Sequence, residues 1–211
     1  MRVLILANGE TPSLSLARRL VREHDLILAT DGAAHRASAL GIIPHIVCGD
    51  FDSVMLDQAQ KELPHTTFIP TPNQDRADLE KAIHLVQERG AKTVTITGAG
   101  GGRIDHQLAN FALLLRYHTE LNLSIVDDLS SVCAVSEEIT IPTRPGDTIS
   151  LISPSGSARV SLTGVQWELS DYLLPVGTMG VSNVAQAEQV RLQVAGGVIL
   201  LCHLPQQERG T

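Results

Sequence analysis

Two carboxylates lie two residues apart in segment 49–53, Gly-Asp-Phe-Asp-Ser, which follows the apolar run from residue 42 to 48. In extended backbone, side chains at positions i and i+2 point the same way, so Asp50 and Asp52 are predicted to offer their oxygens to one hard cation. The same residue types are ordinary in turns, and an isolated acidic motif is weak support for a metal site. The choice between a turn and a metal–phosphate site therefore depends on the other acidic residues.

Further acidic residues follow other predicted strands. Asp31 follows the second strand, Asp75 and Asp78 follow the fourth, and Asp105 follows a glycine-rich turn after the fifth. Because ligands of doubly wound sheets bind beyond the carboxyl ends of the strands, we expect these acids to gather along one edge. That convergence favours a metal–phosphate site. Asp75 could instead cap the helix that follows it, where a carboxylate satisfies free backbone N–H groups.

The segment 98–103, Gly-Ala-Gly-Gly-Gly-Arg, lies between a predicted strand and a predicted helix, where backbone N–H groups can hold a phosphate. Arg103 stands where a dinucleotide GxGxxG motif would need glycine, and the sequence contains no GxxxxGK[ST] motif. A Rossmann dehydrogenase and a P-loop NTPase are therefore disfavoured. Arg103 instead adds a cation suited to phosphate oxygens. We interpret His106 as structural, since phosphoryl transfer rests mainly on metal ions and positioning.

Alternating apolar runs and helical patterns over residues 1–129 predict an α/β domain with a mainly parallel, Rossmann-like sheet. Strands are expected at 3–7, 26–29, 42–48, 67–69, 93–97 and 123–127, and helices at 13–23, 32–40, 55–63, 76–89 and 104–117. The last helix is predicted to bury Ile104, Leu108, Phe111, Ala112 and Leu115. Residues 130–211 lack a helical period, and strands at 132–135, 138–141, 148–152, 158–162, 189–194 and 198–203 predict an all-β sandwich domain.

The composition excludes several classes of protein. The 211 residues are 43% hydrophobic and 18% charged, which is typical of a soluble globular chain. A formal net charge of -7 argues against a nucleic-acid partner, because phosphate-backbone affinity comes from clustered Lys and Arg. No segment reaches the roughly 20 apolar residues of a membrane span, and the first apolar run is too short for a signal peptide. Cys48, Cys133 and Cys202 form no CxxC pair, so free thiols and a cytoplasmic location are expected.

Taken in order, the motifs at residues 31–33, 49–53, 75–82 and 101–106 resemble those of the thiamine pyrophosphokinase family. Trp167 and segment 180–183, Gly-Val-Ser-Asn, resemble that family's thiamine-contacting segments. The resemblance implies an α/β nucleotide-binding catalytic domain over residues 1–129, a thiamine-binding β-sandwich over residues 130–211, and a homodimer with thiamine near the subunit interface. It also implies transfer of the pyrophosphoryl group of ATP to the thiamine hydroxyl, with release of AMP.

The same resemblance assigns roles to single residues. Asp50, Asp52 and Asp78 are expected to hold Mg²⁺ on the phosphates, and Asp105 to face the reacting centre. The nucleotide and phosphate pocket is expected to include Asp31, Gln74, Asp75, Gly101, Gly102 and Arg103. Ser182 and Asn183 are expected to contact thiamine. Trp167 is expected to pack against a thiamine ring, a cation–π contact worth roughly 0.5 to 2 kcal/mol, although simple core packing is an alternative role for an indole.

The chain departs from the family pattern at three positions. Ala77 and Gly100 stand where the family commonly has threonine, and Val184 stands where an acidic residue often follows Ser-Asn. These departures leave open a pyrophosphokinase for another heterocyclic alcohol, such as a pterin. A nucleotide-binding regulatory module without turnover is a third hypothesis. It is disfavoured because a passive binder has little use for converging carboxylates that repel one another.

Overall fold

The computed structural model describes residues 1–51 and 53–206, with the backbone alone for residues 53–56 and 58. The chain forms two compact units, Met1–Asp128 and Leu129–Thr211. None of the helices in these ranges has both the length and the hydropathy that a bilayer crossing requires. The three cysteines are unpaired, as predicted.

The first unit is a parallel sheet in which each of the first five strands is followed by a helix. Its elements are β1 (Arg2–Leu6), α1 (Leu14–Glu23), β2 (Leu26–Thr30), α2 (Asp31–Ala39), β3 (Ile46–Gly49), α3 (Ser53–Glu62), β4 (Thr67–Pro70), α4 (Asp78–Glu88), β5 (Thr93–Thr97), α5 (Ile104–Tyr117) and β6 (Asn122–Val126). The strand order is β6-β5-β1-β2-β3-β4 with every neighbouring pair parallel. The order reverses at β1, so the loops after β1 and β5 lie side by side at the carboxyl edge, where doubly wound sheets bind ligands.

Helix α4 shows how the sequence fixes the elements that carry the polar residues. Leu79, Ala82, Ile83 and Val86 are all buried, as their spacing predicts. Through this face α4 packs against β2 and β3. Each buried Leu, Ile or Val side chain contributes about 1.5–3 kcal/mol. The helix is therefore held firmly over the sheet, and its first residue, Asp78, is fixed at the carboxyl edge.

The second unit is a β-sandwich built from two antiparallel sheets. Its strands are β7 (Ser131–Val135), β8 (Glu138–Pro142), β9 (Thr148–Ile152), β10 (Ala158–Thr163), β11 (Leu169–Leu174), β12 (Asn183–Val184), β13 (Gln189–Ala195) and β14 (Ile199–Leu204). One sheet has the order β12-β9-β14-β7 and the other β11-β10-β13-β8. Inward-facing aliphatic residues of both sheets form one core. The predicted α/β unit followed by a β-sandwich is confirmed.

Two features of the elements differ from the sequence-based expectation. In α5, Ile104 and Leu108 are 73% and 65% exposed, whereas Leu113, Leu114 and Tyr117 are buried. The predicted apolar face is therefore wrong, because the helix buries only its carboxyl-terminal half. The strands β11 and β12 were not predicted. A register shift between Val160 and Leu162 and a left-handed Asp171 interrupt the pattern at β11, and β12 has only two residues.

Candidate active site

The loop after β3 is shaped by Phe51. This residue has a φ of 44°, in the left-handed region that non-glycine residues seldom adopt. Its ring packs edge-on against Phe68 with 5.9 Å between the centroids. The backbone around Asp50 is therefore not extended, which contradicts the geometric reason given for pairing Asp50 with Asp52. Asp52 itself lies outside the described residues.

Asp31 is the first residue of α2 and lies directly over the end of β3. Its Oδ1 accepts a hydrogen bond from the backbone N–H of Gly32 at 2.7 Å. A Cβ on Gly49 would lie 2.2 Å from Asp31 Cγ, so only glycine allows β3 to end beneath this carboxylate. Burial raises the pKa of Asp31, and the charges of Asp78 and Asp50 raise it further, against the hydrogen bond from Gly32. Asp31 is thus close enough to Asp50 and Asp78 for their negative charges to disfavour its ionised form.

Asp50 and Asp78 each have a polar neighbour on the segment that includes α4 and the loop before it. Gln74 Nε2 donates to Asp50 Oδ2 over 3.4 Å, and Lys81 Nζ donates to Asp78 Oδ1 over 3.0 Å. The pKa of Asp50 is lowered, chiefly by the hydrogen bond from Gln74 and also by the charge of Lys81. The structure therefore brings Asp31, Asp50, Gln74 and Asp78 into one polar region.

The donors in this region suit a hard divalent cation. Carboxylate oxygens are the ligands that Mg²⁺ prefers. Besides burial, the charges of Asp78 and Asp50 raise the pKa of Asp31, and a bound cation would relieve this repulsion. In residues 1–51 and 53–206, no three His, Cys, Asp or Glu side chains are close enough together to enclose an ion. The acids fit Mg²⁺ in donor type and charge, but the described side chains do not by themselves enclose the ion.

The glycine-rich loop after β5 is joined to the loop after β1. Gly9 N–H donates to Gly98 O at 2.6 Å, and Glu10 N–H donates to Gly100 O at 2.7 Å. A Cβ on Gly9 would lie 2.3 Å from the carbonyl oxygens of both Gly98 and Gly100, so this contact requires glycine. Asn110 on α5 supports the loop from below, since its Nδ2 donates to the Ala99 carbonyl at 2.8 Å. The two loops therefore form one continuous wall.

Together the loops enclose a cleft of about 1130 Å³ at the carboxyl edge of the first unit. Of the predicted site residues, it is lined by Asp50, Gln74, Asp78, Gly101, Gly102 and Arg103. Asp31 and Asp50 line a smaller neighbouring cavity of about 530 Å³. Asp75 and Asp105 belong to neither lining. The carboxylate of Asp105 pairs with Arg103, whose hydrogen bonds lower the pKa of Asp105 to about 2.

Ala77 and Gly100, two of the positions where the chain departs from the family pattern, lie in well-defined backbone. Ala77 is the N-cap of α4, with φ of -66° and ψ of 154° and no side-chain cap. The alternative that Asp75 caps this helix is therefore wrong; Asp75 N–H instead donates to Asn73 Oδ1 at 2.7 Å. At Gly100 an added Cβ would meet nothing within 4 Å, so a larger residue could be accommodated.

Several cleft residues were not singled out from the sequence. They are Asn8, Gly9, Glu10 and Thr11 after β1, Thr30 at the end of β2, and the cations Arg36, Arg76 and Lys81. The positional rule applied to the acidic residues would also have found residues 8–11, because they follow the first predicted strand. The sequence indicated Lys81 more weakly, through its position three residues after Asp78 on the predicted helix.

In the second unit, Trp167 and Asn183 are joined by two hydrogen bonds. Trp167 N–H donates to Asn183 Oδ1 at 3.1 Å, and Asn183 Nδ2 donates to the Trp167 carbonyl at 2.7 Å. Trp167 is 57% exposed, so the alternative of simple core packing is wrong. Ser182 has a φ of 66°, and its N–H donates to Ser150 Oγ at 3.0 Å. Buried Asn183 therefore fixes the backbone that presents the exposed indole.

Both units match models of known protein families. Residues 17–126 match the model "Thiamin pyrophosphokinase, catalytic domain", and residues 136–199 match "Thiamin pyrophosphokinase, vitamin B1 binding domain". Among curated relatives, thiamin pyrophosphokinase 1 of Caenorhabditis elegans is 26% identical over 96% of this chain and 89% of its own length. Thiamine pyrophosphokinase 1 of Arabidopsis thaliana is 28% identical over 90% of this chain and 81% of its own length.

Solved structures agree on the fold. The thiamine pyrophosphokinase of Bacillus subtilis superposes with a TM-score of 0.85 at 23% identity, covering 98% of this chain and 100% of that one. The thiamin pyrophosphokinase of Candida albicans gives a TM-score of 0.83 at 14% identity, covering 97% of this chain and 89% of that one. At these identities the superpositions support the shared fold alone.

Proposed function

The chain belongs to the thiamine pyrophosphokinase family, and from that premise we propose that it transfers the pyrophosphoryl group of ATP to the hydroxyl of thiamine, giving thiamine diphosphate and AMP. The main support for the proposal is that each unit matches a different domain model of that family. The matched models name neither a pterin enzyme nor a regulatory module, so the first of the three hypotheses is retained.

The first unit is proposed to be the nucleotide-binding catalytic domain, over residues 1–129. Its sheet is Rossmann-like in that the order reverses beside β1, and ligands of such sheets bind at this switch point. The cleft there offers glycine backbone and the Arg103 guanidinium, both suited to phosphate oxygens. ATP is therefore assigned to this cleft, with Gln74, Gly101, Gly102 and Arg103 of its lining as nucleotide and phosphate residues. Asp31, which lines the neighbouring cavity, and Asp75, which lines neither, are proposed to belong to the same pocket on the family resemblance.

Mg²⁺ is proposed to be held by Asp50 and Asp78, with Asp52 as a third ligand. The support is the donor type of these side chains, the position of Asp50 and Asp78 on one cleft, and the negative charge that both exert on Asp31. When bound, the ion supplies charge neutralisation for the phosphates. Two neighbouring side chains position these ligands, since Gln74 fixes the Asp50 carboxylate and Lys81 fixes that of Asp78.

Thiamine is assigned to the second unit, residues 130–211, through Trp167, Ser182 and Asn183. The exposed indole offers a ring face, and a thiazolium cation on such a face gains roughly 0.5 to 2 kcal/mol. Asn183 holds this segment through its two bonds to the Trp167 backbone. A homodimer and a cytoplasmic location complete the proposal.

In the proposed reaction, the thiamine hydroxyl oxygen attacks the β-phosphorus of ATP. The new bond joins that oxygen to the β-phosphorus, and the bond from the β-phosphorus to the α,β-bridging oxygen breaks. AMP leaves with the bridging oxygen and its electron pair, and the hydroxyl proton passes to solvent. Asp105 is proposed to act near this centre as a positioning residue, through its pair with Arg103. In-line placement and charge neutralisation account for most of the acceleration in phosphoryl transfer.

The test is product identification after incubation of the purified protein with ATP, Mg²⁺ and thiamine. We expect AMP and thiamine diphosphate in equal amounts; formation of ADP, or of no thiamine diphosphate, would overturn the proposal. Adding a hydroxymethylpterin as a competing substrate tests whether the protein acts on a pterin alcohol instead of thiamine.

Asp50→Asn should lower turnover strongly without lowering the free energy of unfolding. The matched control is Asp57→Asn, which makes the same change at an exposed residue of α3 that lines neither cavity.

A further inference from the structure

Lys81 is a buried cation on the wall of the cleft. Four Lys and Arg side chains line the described part of this cleft, namely Arg36, Arg76, Lys81 and Arg103. Arg103 is 73% exposed, whereas the Lys81 side chain is 6% exposed. Of the four, Lys81 alone is buried. Because long charged side chains are almost never fully buried unless they are paired, this position calls for an explanation.

The ion pair with Asp78 explains only part of the burial of Lys81. Lys81 Nζ donates to Asp78 Oδ1 at 3.0 Å, in an i, i+3 relation along α4. The Asp78 side chain is 48% exposed, and an i, i+3 pair on a helix stabilises by only about 0.2–0.5 kcal/mol. Removing an ammonium group from water costs several kcal/mol after relaxation, so this one bond does not balance the burial.

Lys81 also has N–H donors that the described residues leave unused. A lysine ammonium has three N–H donors, and the described residues provide one hydrogen-bond acceptor, Asp78. The Thr30 hydroxyl, at the end of β2 on the same cleft, is buried with no hydrogen-bond partner in the ranges that the structure covers. Two buried polar groups with unused hydrogen-bonding capacity thus line one cleft, and a ligand that accepts hydrogen bonds would satisfy both.

We propose that Lys81 donates a hydrogen bond to the phosphate oxygens of bound ATP beyond the α-phosphate, with the Thr30 hydroxyl as a second donor. This inference rests on the proposed function, because it takes ATP as the ligand of the cleft. A phosphate oxygen is an acceptor with negative charge, which a buried ammonium binds without losing further hydration. Asp78 then acts on Lys81 as well: it holds the ammonium in place before the nucleotide arrives.

The test is nucleotide binding by calorimetry in the absence of thiamine, so that no transfer occurs. Lys81→Met keeps the length of the side chain and removes its charge. ATP affinity is expected to fall by about 10- to 100-fold, the effect of losing one hydrogen bond to a charged group. AMP affinity is expected to change less than about threefold, since AMP lacks the contacted phosphates. The AMP measurement also reports whether the variant is folded, and Lys81→Gln replaces it if it is not.

Two controls separate a direct contact between Lys81 and phosphate from a general effect of the lost charge and from an effect through Asp78. Lys92→Met removes the same charge at a position outside the cleft lining and should leave both affinities unchanged. Repeating the titrations with EDTA in place of Mg²⁺ separates a direct contact from an effect through Asp78. A loss of ATP affinity seen only with Mg²⁺, or an equal loss for AMP and ATP, would overturn the role of Lys81. Failure of the unmodified protein to bind ATP at all would overturn the proposed function instead.

Discussion

Arg103 and Asp105 form a two-point ion pair, with Arg103 Nε 3.1 Å from Asp105 Oδ1 and Arg103 Nη2 2.5 Å from Asp105 Oδ2. The pair uses two of the five N–H donors of the guanidinium, and the other three remain for a phosphate. Hydrogen bonding from Arg103 lowers the pKa of Asp105 to about 2, so the pair persists throughout the neutral pH range. This geometry indicates that Asp105 orients Arg103.

Asp105→Asn should therefore act on nucleotide binding more than on the chemical step. The pair is largely exposed to solvent, so its loss should raise KM for ATP only roughly two- to fivefold. The value of kcat should stay within about threefold, because the transferred group keeps its other contacts. Steady-state kinetics with varied ATP measures both constants. A drop in kcat of a hundredfold or more would place Asp105 at the reacting atoms, as the family resemblance implies.

Ala77→Thr should stabilise the protein through the N-cap of α4. Ala77 already has the β-region backbone of an N-cap, and its methyl group cannot accept a hydrogen bond from the free N–H groups there. A threonine oxygen at this position should add about 0.5–1 kcal/mol to the free energy of unfolding, measured by urea denaturation. Ala77→Val has a similar shape without the oxygen and should give no such gain. Equal stabilisation by both variants would show that packing, not capping, is responsible.

Asp147 should make the protein sensitive to acid. Burial opposes ionisation of this carboxylate, but hydrogen bonds from the backbone N–H groups of Arg144 and Gln206 and from His203 Nε2 outweigh it and lower the pKa of Asp147. A group with a lowered folded-state pKa stabilises above its unfolded pKa of about 3.9 and loses that contribution as the pH falls through the folded value.

Asp147→Asn should accordingly lower the free energy of unfolding by about 2 kcal/mol at pH 7, the effect of losing a charged hydrogen-bond acceptor. The difference between variant and wild type should shrink as the pH falls below about 4. Urea titrations at several pH values measure this. A difference that stays constant down to pH 3 would contradict the assigned role. Asp128→Asn is unsuitable as a control because Asp128 accepts hydrogen bonds from Ser13; Asp57→Asn is suitable because Asp57 is exposed on α3.

Much of the fold could be predicted because its strands and helices carry uninterrupted patterns. The run at β5 and the spacing of Leu79, Ala82, Ile83 and Val86 in α4 match the structure directly. The expected buried face of α5 was wrong because apolar spacing does not say which part of a helix is covered by tertiary packing; Ile104 and Leu108 are exposed. The strand β11 escaped prediction because a bulge in its pairing with β10 breaks the alternation on which strand prediction depends.

Asp31, Asp50 and Asp78 could be placed at the carboxyl edge of the sheet from the sequence because the carboxyl ends of parallel strands meet there, whereas Asp75 and Asp105 line neither cavity. The burial of Lys81 could not be predicted, since lysine on a helix is normally a surface residue and its burial depends on tertiary packing. The loop at residues 8–11 was missed because the positional rule was not applied to the end of the first strand; what local patterns do not show is the strand order that brings β1 beside β5. The extended backbone expected next to Asp50 was wrong because Phe51 is left-handed, a conformation that its residue type does not predict.

Attack of a thiamine hydroxyl on the β-phosphorus of ATP is tested most directly with an isotope label. ATP carrying oxygen-18 in the bridge between the α- and β-phosphorus is incubated with the protein, Mg²⁺ and thiamine, and the products are analysed by mass spectrometry. We predict that all of the label appears in AMP and that the thiamine diphosphate is unlabelled. Recovery of the label in the thiamine product, or in ADP, would contradict the proposed reaction.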